Sequence, residues 1–225
     1  MALKRRILRI DSEIGKHIDA KKQNAVRITG AACAASFLLG SGKLLMGIFS
    51  SSFFTIMNAF YTYGMVTAKL LALRGLMVSP QKQTSYYKGA ADILITASLC
   101  YAVYSTRLLW NPENTQYHPY LAMGIATVMF TEIGMNLWGV LAERKAKSPM
   151  FHAIKTINLA SSLIGLVLTQ AAILSFTHPE EGYDPSLANS ILGLCMGGCA
   201  AFLGCFMLWR TARLKTPQLP ADADS

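Results

Sequence analysis

Glu132 lies in the run MFTEIGMNLW, a carboxylate flanked on both sides by residues that favour hydrocarbon. At the centre of a membrane-spanning helix such a group costs about 2.5–3.5 kcal/mol on insertion scales, so it marks an ion or proton pathway or an internal partner. Its candidate chemistry is a proton or cation site. The structural alternatives are an ion pair with Lys69 or Lys155, or hydrogen bonds to Asn136, Asn158 or Tyr61. A second apolar stretch, SFFTIMNAFYTYGMVTAKLLAL from Ser52 to Leu73, carries Asn58, Tyr61, Thr62, Tyr63 and Lys69. Polar side chains at that depth face a bundle interior or a pathway rather than lipid. A third, from Thr156 to Phe176, carries Asn158, Ser161 and Ser162 but no charge. Cys195 and Cys199 stand one helical turn apart, and with Met65, Met196 and Met207 they offer soft sulfur donors. Small sulfur side chains filling helix interfaces explain them more simply. His17, His118, His152 and His178 are scattered and form no cluster. No phosphate-binding glycine loop, nucleophile–base pair or H-E-x-x-H is present, and nothing argues for an enzyme, a cofactor or a bound metal.

The elements that must position these groups are membrane helices. The chain has 225 residues, 52% hydrophobic and 15% charged, with a formal net charge of +9. A soluble domain of this size needs more polar surface. The basic residues sit at the N-terminus and in short segments between apolar runs, which fits a membrane surface and not a nucleic-acid partner. Six apolar segments follow, at 25–49, 52–76, 89–110, 120–142, 151–176 and 186–209. Each approaches or exceeds the ~20 residues needed to span a bilayer. The expected fold is thus an all-α, six-helix membrane bundle over residues 25–213. A basic arm at 1–24 is expected to be either a short amphipathic surface helix or a solvated segment, and 214–225 is expected to be a short disordered tail. The five cysteines all lie inside apolar runs and are expected to be small buried residues, not disulfides.

Loop charge sets the orientation. With the N-terminus inside, Lys4, Arg5, Arg6, Arg9, Lys82, Lys88, Arg144, Lys145, Lys147, Arg210, Arg213 and Lys215 share one side. The other side receives Arg107 and the acidic segment with Glu180, Glu181 and Asp184. Both termini are expected in the cytoplasm, with the chain multi-pass in the plasma (inner) membrane. Lys69, Asp92 and Lys155 fall near cytoplasmic helix ends, where lysines snorkel or pair with the aspartate. Lys43 lies nearer the outer end of its helix and is expected to snorkel outward. Gly193 and Gly197 form a G-x-x-x-G that permits close helix approach or a homodimer contact.

Several of these stretches resemble the transmembrane domain of the cation diffusion facilitator (cation efflux) family. SFFTIMNAFYTYGM is similar to the second-helix pattern S-x-x-L-L-A-D-A-x-H-S-x-x-D. Further similarities are GKLLMGIFSSS with Lys43 and Gly47, YYKGAADIL with Asp92, RLLWNPE, SPMFHAIKTINLASSL and YDPSLA. They occur in family order across roughly 25–213. The resemblance implies the six-helix fold and a site between the second and fifth helices, lined here by Asn58, Tyr61, Thr62, Asn158, Ser161 and Ser162. The family binds a zinc-like ion there with ligands one turn apart on each helix. The matching positions are Tyr61, Met65, Ile157 and Ser161. Isoleucine cannot ligate, methionine suits copper(I), and neutral tyrosine and serine are poor zinc donors. The family's cytoplasmic metal-binding domain has no counterpart in these residues. The expected function is therefore a divergent transporter of a small cation or solute that does not use the family's usual zinc site. A pathway is expected through Asn58, Tyr61, Met65, Glu132, Asn158 and Ser161. The alternative is a non-transporting structural or regulatory membrane relative. Zinc export would require ligands outside these positions.

Overall fold

In the computed structural model, residues 27, 29–78, 80–111, 118–142, 149–175 and 185–214 are described, and among them there are six helices and no strand. They are α1 (Thr29–Phe49), α2 (Phe53–Met77), α3 (Pro80–Trp110), α4 (Pro119–Ala142), α5 (Pro149–Leu174) and α6 (Pro185–Leu214). The basic arm, the C-terminal tail and the loops holding Arg144, Lys145, Lys147, Glu180, Glu181 and Asp184 lie outside the described residues. Four helices begin at a proline. Proline fits the first helical position because that N–H has no partner within the helix in any case. This also corrects one expected boundary: α3 starts at Pro80, nine residues before the apolar run at 89, so Lys82 and Lys88 lie on helix and not in a loop. A polar first turn is compatible with helix even where it is not compatible with lipid.

Thr29–Phe49, Lys82–Trp110, Pro149–Leu174 and Pro185–Ala212 are each long and apolar enough to cross a membrane. The exterior is apolar too. Leu38, Phe49, Phe60, Val103, Trp138 and Phe202 are all exposed, as are many other large hydrophobic side chains. A soluble monomer rarely shows more than a few hundred Å² of continuous apolar surface. The chain is a helical, membrane-like protein with four candidate spans.

α5 is the central helix, with 61% of its span buried against 28–33% for the other three. It packs on α2, α3, α4 and α6. One core cluster joins Met65, Leu76, Leu94, Tyr101, Ile157 and Met207 from α2, α3, α5 and α6. A second joins Phe54, Leu108, Met129 and Leu168 towards the other end of the bundle. The G-x-x-x-G glycines lie inside the chain, on α3: a Cβ at Gly193 would meet Ser105 Oγ at 2.5 Å, and one at Gly197 would meet Ala102 Cβ at 3.2 Å. The expectation for the cysteines is corrected in part. Cys33 is buried, but Cys100, Cys195, Cys199 and Cys205 are exposed on the bundle exterior. An apolar run does not say which of its faces points inward.

The α1–α2 hairpin fixes the position of α1. Ser51 adopts φ 48°. The Ser52 N–H donates to Gly47 O (2.9 Å) and the Ser51 N–H to Ile48 O (3.2 Å), closing α1 with a Schellman-type turn. Ser52 then caps α2, its hydroxyl accepting from the Thr55 N–H at 3.3 Å. The turn is so tight that a Cβ at Gly47 would sit 2.9 Å from the Ile56 backbone nitrogen. Gly47→Ala should therefore destabilise the bundle by about 1–3 kcal/mol, the usual cost of overpacking. Gly134, with nothing within 4 Å of its would-be Cβ, is the control. Gly134→Ala should be neutral or gain up to ~1 kcal/mol from helix propensity. Unfolding of the two purified variants beside wild type in the same detergent checks both.

Candidate functional site

The site is built on a face of α1 that sequence inspection undervalues. Gly40 and Gly47 flank Lys43 at three and four residues, so all three lie on one side of the helix. A Cβ at Gly40 would stand 3.3 Å from Thr62 Cγ2. With small residues above and below it, Lys43 is drawn into the bundle and not out along the helix, which corrects the expected outward snorkelling. Its ammonium donates to Thr62 Oγ1 at 3.1 Å and to Glu132 Oε2 at 3.2 Å. The two charged side chains are 7% and 6% exposed, and theirs is the single ion pair among the described residues. The Ser161 hydroxyl donates to the other carboxylate oxygen, Oε1, at 3.5 Å. Thr62 in turn donates to Asn58 O at 2.9 Å, so its oxygen is oriented to receive the lysine.

Glu132 is therefore paired, but with neither Lys69 nor Lys155. Lys69 is 1% exposed and makes no hydrogen bond or ion pair among the described residues. Asp92, its expected partner, is on the exterior. The snorkelling expected of Lys69 does not occur because the flanking Ala68 and Ala72, both fully buried, turn that face of α2 into the bundle.

Between these groups and one end of the bundle lies a cavity of about 580 Å³. Its walls are the first half of α1 from Thr29 to Leu39, the second half of α4 from Glu132 to Trp138, Lys69 of α2, and Ile154 and Asn158 of α5. Most of the lining is apolar. Lys69, Glu132, Asn136 and Asn158 supply polar groups, a composition typical of small-molecule sites. Glu132 is shared: it forms the floor of the cavity on one side and the partner of Lys43 on the other.

The six residues expected along a pathway divide into two groups. Glu132, Ser161 and Asn158 come together around this cavity and its ion pair. Asn58, Tyr61 and Met65 lie elsewhere, in the core between α2, α3 and α5. Asn58 Nδ2 donates to Tyr101 Oη at 3.4 Å, and Tyr61 Oη donates to Ala160 O at 3.3 Å. Met65 and Ile157, both within 1% of complete burial, fill the α2–α5 interface with hydrocarbon and thioether. That interface is where the family resemblance puts a metal. Among the described residues no group of three histidine, cysteine, aspartate or glutamate side chains could hold an ion. Lys43 and Asn136 are the site residues that sequence reasoning undervalued. The available signal was the glycine spacing around Lys43, and for Asn136 its place one turn beyond Glu132. No protein-family model matches this chain, and no curated protein is significantly similar to it.

Removing one partner of a buried pair leaves the other charge uncompensated, which costs about 3–5 kcal/mol. Lys43→Met should therefore destabilise the protein by that order. Ser161→Ala, which deletes only a long hydrogen bond, should cost ~1 kcal/mol or less. Denaturation of the purified variants, compared at equal protein and detergent, checks the ranking.

Proposed function

We propose that this protein is a six-span membrane transporter of a small solute, divergent from the cation diffusion facilitators it resembles, with both termini in the cytoplasm and its place in the plasma (inner) membrane. The observation that carries the reading is the cavity between α1, α2, α4 and α5, closed at its inner wall by the Lys43–Glu132 pair. Polar cavities near the middle of a helical bundle, at the junction of packed units, are where transporters hold their cargo. α2 and α4 carry Thr62, Lys69, Glu132 and Asn136 of the site, and at 25 and 24 residues they extend about 37 and 36 Å, enough to cross ~30 Å of hydrocarbon. Exposed Trp110 and Tyr120 sit near one end of the bundle and exposed Trp138 and Trp209 towards the other, as interfacial aromatics do.

In this reading the cavity is the site as seen from the cytoplasmic side, where α1 and α5 begin and α4 ends. The ion pair is the closure towards the opposite side. Loading the cavity perturbs Glu132, the residue common to both, and parting of the pair opens the outer path. The pair is thus a bistable element that cargo can bias.

A single Glu132→Gln change is a poor test, because it also strands Lys43. Lys43→Met with Glu132→Met removes both charges together, and replacement of a buried pair by apolar residues is often neutral for stability. In sealed proteoliposomes the wild type should move a solute above the level of empty vesicles. The double variant, folded and inserted, should lose at least tenfold in flux. Flux that survives the double change would remove the pair from the mechanism. Absence of flux for every cation and organic ion tried, from inserted wild-type protein, would favour a structural or regulatory role.

A further inference from the structure

The charges around the cavity do not balance. Two lysines, Lys43 and Lys69, face one carboxylate, Glu132, and Glu132 is already bonded to Lys43 and Ser161. Lys69 is left with a side chain 1% exposed and no hydrogen bond or ion pair of its own among the described residues, sharing Glu132 as its one opposite charge with Lys43. Burying an ammonium without a partner is among the most expensive arrangements a fold can hold. A second observation points the same way. Asn136, 8% exposed and lining the same cavity, has an amide nitrogen, Nδ2, with no hydrogen-bond partner. Buried polar groups almost always have partners, so an unpartnered one needs an explanation such as a missing ion or ligand. The unmatched groups of this cavity thus include two donors, one of them cationic, and no second carboxylate.

The other polar side chains on its walls are Thr29 and Ser36 of α1 and Asn158 of α5, all uncharged. The remaining lining is Ala31, Ala32, Ala35, Leu39, Ile154 and similar residues. A bare inorganic ion would leave that apolar volume of about 580 Å³ empty. We infer that the cavity takes an organic monoanion, a carboxylate on an apolar body, with its charged end between Lys69 and Asn136 and its body against α1. The inference rests on the transport reading above and names its cargo class: a single negative charge, where the family resemblance suggests a cation.

Three probes of nearly equal shape separate the possibilities: benzoate, benzylamine and benzyl alcohol, titrated into the full-length protein in nanodiscs of zwitterionic lipid. Benzoate should bind saturably and raise the unfolding temperature, as any ligand of the folded state does, while benzylamine and benzyl alcohol should have no saturable effect. Lys69→Met should weaken benzoate at least tenfold. Asn136→Asp, which supplies a fixed carboxylate inside the cavity, should do the same and serves if Lys69→Met fails to fold. Benzoate binding unchanged in both variants would overturn the inference, as would preferential binding of benzylamine. If benzylamine or benzyl alcohol binds in benzoate's place, the anion assignment falls and the solute cavity stands. If no probe binds and no flux is found, the transport reading falls with it.

Discussion

A charge inside hydrocarbon must be matched, and the Lys43–Glu132 pair is how this bundle matches one. At 3.2 Å and almost wholly enclosed, the pair holds α1 to α4 across the bundle. Replacement of water by low-dielectric surroundings strengthens the attraction, but the desolvation of both ions offsets much of that gain. The additional bonds to Thr62 and from Ser161 offset part of that cost by occupying a second donor direction of the ammonium and the second oxygen of the carboxylate. These polar contacts bear on α1 in particular, since only 28% of its span is buried and its outer face, including Leu38 and Phe49, has no protein against it. The tight turn at Ser51 and the small residues Gly40 and Gly47 bring α1 close enough for the lysine to reach.

The opposite side of the same bundle is organised chiefly by packing, with a few uncharged hydrogen bonds such as Asn58 to Tyr101 and Tyr61 to Ala160. Many of the buried residues of the central α5 are small: Ala153, Ala160, Ser161, Gly165 and Ala171 let its neighbours approach closely between larger side chains such as Ile157 and Leu168. In a membrane, where lipid is as apolar as a leucine side chain, such close van der Waals contact and interhelical hydrogen bonds replace the hydrophobic effect as the source of association. The α2–α5 interface is filled in this way with Met65 and Ile157. The paired charges lie one helix pair away, between α1 and α4. Glu132 touches both regions through its bond from Ser161.

The helices were legible in the sequence because length and apolarity are sufficient to specify them: six apolar runs became six helices. Their ends were less legible, since α3 gains its polar first turns from Pro80 and α6 continues to Leu214. That Glu132 needs a partner followed from its setting; which lysine supplies it did not. Lys43, Lys69 and Lys155 each have a stem long enough to reach inward or outward, and the choice depends on which face of its helix is buried. Periodicity cannot decide this when both faces are apolar, as on α2 and α6. For the same reason the exterior position of Cys195, Cys199 and Cys205 was not visible. The cavity was still less accessible, because it is made by four helices whose relative positions no local pattern encodes.

The central claim is that Lys43 and Glu132 meet inside the bundle and hold α1 in place. Exchange of the two charges tests it most directly. Lys43→Glu alone places two carboxylates together, and Glu132→Lys alone places two ammonium groups together. Each single variant should unfold at a much lower temperature than wild type or fail to insert. The combined Lys43→Glu, Glu132→Lys protein should recover most of the lost stability, measured by thermal unfolding in one detergent. A combined variant no more stable than the sum of its parts would show that the two side chains do not meet, and would contradict the account.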